Sequence, residues 1–235
     1  MPARAERHGN GKRSSVRQPS LPDLPESLTA GRLPGDDLTD GAVHLALAFD
    51  GADFSGRSAA GAELDQCTYR NVDLSQAALR RAMIRDVSFD RCDLANLRAR
   101  DSSAYRASFA GCRMTGMSWL NGGMRDVTFS DCRMDFASFR ASTFKDVVFT
   151  GCRLDQAEFG DADLSGARFE DCDLSGAQFS DARMTGTRLT RCELTGISGV
   201  TSLRGAVITS AGAVALAFTL ANALGITIAD DDDPA

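Results

Sequence analysis

The stretch Ala162–Leu194, ADLSGARFEDCDLSGAQFSDARMTGTRLTRCEL, places a large apolar residue at every fifth position: Leu164, Phe169, Leu174, Phe179, Met184, Leu189 and Leu194. Counting back in fives from Leu194 to Phe54 gives 29 such centres, all large and apolar except Ala59, Ala99 and Ala104. Two residues before each centre the side chain is small or β-branched, except at Arg57, Leu97 and Met117. A helix repeats every 3.6 residues and a strand every two, so a period of five marks an internal repeat array.

Four such units span 20 residues, the interval that separates Cys92, Cys112, Cys132, Cys152, Cys172 and Cys192. If each unit forms one side of a square coil, the centre and the small residue point inward and the other three residues face water. Coils stacked at about 4.8 Å then pair backbone to backbone as strands do. So narrow a coil cannot hold two large inward groups per side, which explains the pairing of large with small. One side then stacks Phe49, Tyr69, Phe89, Phe109, Phe129, Phe149, Phe169 and Leu189. Where Ala99 is a small centre, Leu97 fills the slot before it, and Trp119 lies one coil above.

On these residues the stretch Ala162–Leu194 resembles the pentapeptide-repeat family, whose pattern is A(D/N)LXX. The resemblance implies a right-handed quadrilateral β-helix, an all-β solenoid. We expect about seven to eight 20-residue coils over residues 42–199. A C-terminal cap over 200–228 would hold a helix at about 210–224, N-capped by Thr209 or Ser210 and ending before Gly225, with an acidic tail at 229–235. Residues 1–41, rich in Pro, Gly, Ser and Arg, read as a disordered or loosely attached arm.

The helix is apolar nearly all round, with Val214, Ala217, Phe218 and Ala221 on one stripe and Leu216, Leu220 and Leu224 on another. Such a helix should be covered on two sides. One side would seal the open tube, whose bare backbone edge invites aggregation. The other could fold flat on the same tube or meet a second subunit; the resemblance implies a homodimer through this end. A membrane span over Ala211–Ile228 is disfavoured by the Ala-rich composition and by Asp230–Asp233 just beyond it.

All seven cysteines, Cys67 and the six of the ladder, occupy small inward slots and read as reduced structural thiols, so a cytoplasmic location is expected. The N-terminus has no apolar segment of the kind a secretory signal needs. Parallel cysteines 20 residues apart do not make a tetrahedral metal site. Of the two histidines, His8 lies in the arm and His44 at the array's edge, and no nucleotide or hydrolase motif is present. No catalytic residue, cofactor or metal is assigned, and the chain is read as a non-enzyme. Pairs such as Asp161/Asp163 and Asp171/Asp173 read as solvated positions of the repeat.

The formal net charge is −6, of which residues 46–197 contribute only −3, so nucleic acid is not favoured as a direct partner. Two columns on neighbouring sides are basic instead: Arg80, Arg100, Leu120 and Arg140, and Arg85, Tyr105, Arg125 and Lys145. Either these arginines bridge Asp86, Asp101, Asp126 and Asp146 next door, or they form a docking stripe for an acidic protein, not identified by the sequence, or for a nucleic-acid backbone. The candidate dimer or cap residues are Val214, Leu216, Phe218, Leu220 and Leu224. The best-known activity in the family is protection or inhibition of DNA gyrase by a dimeric acidic rod that mimics duplex DNA. A near-neutral array departs from that pattern, so a protein-binding scaffold is the first reading, with gyrase binding and fluoroquinolone resistance as the alternative.

Overall fold

The structure, a computed structural model, describes residues 17–227. The chain folds as a β-solenoid of about nine turns, each made of four five-residue sides. The aromatic side carries the register: Phe49, Tyr69, Phe89, Phe109, Phe129, Phe149, Phe169 and Leu189 are consecutive partners in one parallel ladder. Adjacent rings from Phe49 to Phe169 stack with centroids 4.7 to 5.2 Å apart, the spacing of the strands themselves. A second column stacks Phe139, Phe159 and Phe179 at 5.3 Å. Seven to eight coils cover the periodic array; the aromatic side gains a further rung at each end, from Thr29–Ala30 pairing with Leu47–Ala48 and from Val207–Ile208 pairing with Arg188–Leu189.

The 8-residue strands Met83–Asp90, Ser103–Ala110, Gly123–Ser130 and Thr143–Thr150 wrap two adjacent sides around one corner. A third side pairs Ala78–Arg80, Arg98–Arg100 and Ser118–Leu120. The fourth is a ladder of single bridges running from Asp53 through Asp73, Asp93, Arg113, Arg133, Arg153 and Asp173 to Glu193. Every corner turns through a residue of positive φ two positions after the centre, for example Asp86 (φ 54°), Asn121 (53°) and Asp171 (55°). Short polar side chains and glycine tolerate this conformation best, which accounts for the aspartates at the corners. Aspartates just before a centre do a second job. Asp53, Asp73, Asp93, Asp163 and Asp173 each accept the N–H two residues on, at 2.8 to 3.1 Å. These aspartates are therefore turn-formers.

The cysteine slot is more specific than smallness requires. Each thiol donates to the carbonyl 23 residues earlier, one coil down: Cys92 to Tyr69, Cys132 to Phe109, Cys152 to Phe129 and Cys192 to Phe169, at 3.3 to 3.5 Å. Ser102, Ser142 and Thr187 make the same contact with their hydroxyls, to Leu79, Trp119 and Leu164. Burial pushes the Cys67 thiol above its usual range, the opposite of what a reactive thiolate needs.

Trp119 is buried and in register with Ala99. Its ring edge reaches Gly122, the small slot of the next side, where a Cβ would lie 2.2 Å from the indole nitrogen and 2.5 Å from the Ser102 carbonyl. Leu97, Met117 and Trp119 help to line an apolar void of about 10 Å³ beside the two successive alanine centres.

At the C-terminal end Leu194, Ile197 and Val200 close the last coil, and the helix Ser210–Ala223 lies over them. Thr209 is its N-cap, accepting from the Gly212 N–H, and Gly225 follows with φ 71°. Leu216 is buried and Gly212 packs beside Leu194, whereas Val214, Phe218 and Leu224 are 74%, 65% and 76% exposed and Leu220 is 38% exposed. The expectation of two covered sides is thus met on one side only within this chain, because a flat helix over a square opening can turn just one stripe inward. No helix among the described residues is long and apolar enough to cross a membrane.

The largest departure from expectation is the arm. Of residues 1–41, residues 1–16 lie outside the described residues, as does the acidic tail of 229–235. Residues 17–41 are attached, and closely. Leu38 is buried at the base of the tube, Gly31 sits against the Phe49 ring, and the Thr29 and Gly31 N–H groups pair with the Ala46 and Ala48 carbonyls. Towards the N-terminus from there the chain runs along one corner of the rod, where the Ser20 and Asp23 N–H groups meet the buried carboxylates of Asp126 and Asp86.

Candidate interaction surface

Both predicted columns form. Arg80, Arg100 and Leu120 are direct ladder partners, and the Asn121 N–H bonds the Arg140 carbonyl one coil on. Arg85, Tyr105, Arg125 and Lys145 are consecutive partners on the next side. The structure does not merge them into one cluster; a corner separates the columns. Leu120, expected to be exposed, is half-buried, as is Tyr105.

Their electrostatics differ residue by residue. Arg85 pairs with Asp65 one coil down, which raises its pKa, and Arg140 reaches Asp161 at 3.6 Å. Arg125 lies 3.6 Å from Asp126 and 5.8 Å from the Tyr105 ring centre, with Arg106 at 4.7 Å from the same ring. Tyr105 is therefore the aromatic floor for two guanidiniums. Arg80, Arg100 and Lys145 have no ion-pair partner among the described residues. At a rung spacing of about 4.8 Å, Arg80 and Arg100 repel modestly in water, and an acidic partner would relieve that repulsion.

The acids expected to neutralise the stripe are mostly taken by other groups. Arg106 forks onto Asp86 through Nε and Nη2 at 2.6 and 2.5 Å. Burial pushes the Asp86 carboxyl up, but Arg106 and the backbone N–H of Asp23, at 2.8 Å, outweigh it and hold the group below the usual carboxylate range. Asp126 accepts from the Ser20 N–H at 2.9 Å and from Arg17, whose other nitrogen reaches Asp146 at 3.0 Å. Arg168, buried, donates to the Arg17 carbonyl and the Gln18 side chain at 2.6 and 2.7 Å. Sequence reasoning missed this second surface, the corner Asp86–Arg106–Asp126–Asp146 with residues 17–23 lying on it.

His44 is buried against the Tyr69 hydroxyl at 2.8 Å, and burial lowers its pKa, so it is a neutral plug in the first coil. No group of three metal-ligating side chains occurs among the described residues.

A solenoid of five-residue sides with paired large and small inward slots defines a class of structural repeat proteins. The sequence profile of the pentapeptide repeat region matches residues 62–135 and 122–198, and the chain belongs to that family. None of the curated proteins matches it. Among solved structures, the chain is similar to a trypsin-treated variant of QnrB1, a plasmid-mediated fluoroquinolone resistance protein, at 24% identity over 80% of this chain and 100% of that one, with a TM-score of 0.30. It is also similar to HetL, a pentapeptide repeat protein involved in heterocyst differentiation regulation in the cyanobacterium Nostoc sp. strain PCC 7120, at 20% identity over 74% and 90% of the two chains, with a TM-score of 0.37. A pentapeptide repeat protein of the Arabidopsis thaliana thylakoid lumen matches at 20% identity over 66% and 76%, with a TM-score of 0.25.

Proposed function

We propose that the protein is a non-catalytic rod that docks an acidic protein partner on its basic stripe. The observation carrying this reading is the set of exposed cations, Arg80, Arg100 and Lys145, without carboxylate partners among the described residues, beside the half-buried Leu120 and the arginine-stacked Tyr105. Rigid columns of identical spacing keep the backbone of such a surface pre-organised, so little backbone ordering opposes binding. The reading also includes a twofold rod, in which Val214, Phe218 and Leu224 of one copy meet the same face of a second. Those exposed side chains are apolar and contiguous with a helix already fixed on its other side. The thiols of the core suit a reducing, cytoplasmic setting.

Affinity capture with the full chain and with Arg80→Glu/Arg100→Glu tests the stripe: the variant should lose an acidic partner that wild type retains, and identical partners for both would end the proposal. Mimicry of DNA towards gyrase is the alternative. It requires a dominantly acidic outside, and the array's arginine columns run against it. A supercoiling assay in which the purified chain neither inhibits gyrase nor relieves quinolone inhibition removes that alternative.

A further inference from the structure

The segment on the corner reads RQPSLPDLPESL from Arg17 to Leu28, with Pro19, Pro22 and Pro25 at every third residue. That is the period of polyproline II, which advances about 3.1 Å per residue and so about 9.3 Å per turn. Two coils of the rod rise about 9.6 Å. The two pitches are therefore commensurate, and the contacts show it: Arg17 is held by Arg168, Ser20 by Asp126 and Asp23 by Asp86, a step of three residues in the segment for each two coils of the rod. Pro19, Pro22, Pro25 and Leu28 are the half-buried face.

The recognition is of a particular kind. Asp126 and Asp86 are 0% and 3% exposed at their side chains, and each accepts the backbone N–H of the residue after a proline. Gln66 adds a donor to the Asp23 carbonyl at 3.3 Å. Buried carboxylates that read main-chain N–H groups at a fixed pitch select an extended backbone and are indifferent to most side chains. Arg17, which bridges Asp126 and Asp146, supplies the side-chain element.

We propose that this corner is a binding groove for extended proline-rich segments with a leading arginine, of the form Arg-x-Pro-x-x-Pro, and that residues 17–28 fill it in cis as a displaceable ligand. The groove borders the Arg85–Lys145 column, where Arg125 lies 3.6 Å from Asp126, and lies a full side away from Arg80 and Arg100. Peptide binding to the groove is therefore read separately from capture by the Arg80/Arg100 column. A cis segment acts at millimolar effective concentration and masks the groove from weaker or dilute competitors. A partner segment gains access when the cis segment is modified or held elsewhere.

The test is fluorescence anisotropy with a labelled 12-residue peptide of sequence Arg17–Leu28. It is titrated into the full-length wild type and into full-length Ser20→Pro/Asp23→Pro, which loses both cis donors. The opened chain should bind the peptide at least about tenfold tighter than wild type, and a peptide carrying the same two prolines should not bind. If the double variant proves unfolded by circular dichroism, full-length Arg17→Ala, altered only at an exposed anchor, replaces it with the same two readouts. The absence of saturable binding to an opened, folded chain, or equal binding of the proline-substituted peptide, overturns the proposal.

Discussion

Replacing Trp119 by alanine probes the rule that each side holds one large and one small inward group. Trp119 is 2% exposed and borders a void already at about 10 Å³. A buried tryptophan withdraws roughly 200 Å² from water, about 5 kcal/mol at 25 cal/mol/Å², of which alanine retains a small part. The coils above and below are fixed by ladder bonds through Ser118, Trp119 and Leu120, so the site cannot collapse to refill the space. The expected loss is about 4 kcal/mol. At a urea slope of about 3 kcal/mol/M it moves the unfolding midpoint by about 1.3 M, followed by far-UV circular dichroism because this is the chain's single tryptophan. Trp119→Phe is the control: it drops an indole N–H that has no hydrogen-bond partner and should cost about 1 kcal/mol or less. A midpoint shift below about 0.3 M for the alanine variant would refute the packing rule.

Gly122→Ala should destabilise by about 2 to 3 kcal/mol because its Cβ meets both the indole and the Ser102 carbonyl, and the penalty should shrink in the Trp119→Ala background; an additive double mutant contradicts this. Phe136→Gly should raise the midpoint, since Phe136 is exposed at 55% with φ 58°, a conformation that costs a β-carbon residue about 1 kcal/mol. The Asp86 contact follows pH with a definite sign. Its folded pKa is depressed, so its stabilisation is full above the ordinary aspartate value and is lost as pH falls through the depressed value. Exchange of the Asp23 amide should therefore accelerate only below about pH 4, and acceleration already at pH 6 would contradict the assignment. Cys132→Ser should cost no more than about 1.5 kcal/mol, because Ser102 and Ser142 already bond the carbonyl 23 residues back; a loss above 3 kcal/mol in urea unfolding argues against that bond.

The rod was legible because volume alone fixes it. Each Phe of the column from Phe49 to Phe169 announces its place by a spacing that no other element produces. The arginine columns were legible as columns for the same reason, since register places Arg80 over Arg100 whatever their function. Their ion pairs were not, because the acids beside them are claimed first: Arg106 takes Asp86 one coil below it in the same corner, and Arg17 takes Asp126 and Asp146. The arm escaped because its partners are remote: Asp23 meets Asp86 63 positions later, Ser20 meets Asp126 106 later, and Arg17 meets Asp146 129 later. Its one local signal was proline at every third residue. The corner aspartates looked merely solvated, because nothing short-range distinguishes an αL turn residue from a surface carboxylate. Cysteine's preference for the carbonyl one coil down is likewise visible only once the coils are stacked.

Strapping one corner of a spiral gives it a mechanical polarity. A bare solenoid frays from both ends like a spring losing its outermost loops. Here the tie between residues 17 and 31 spans the layers from Ala46 to Arg168, so loops in that interval cannot peel away singly. The layers beyond Arg168 and the closing helix have no such tie among the described residues, and tension or heat should unwind the rod from that end first.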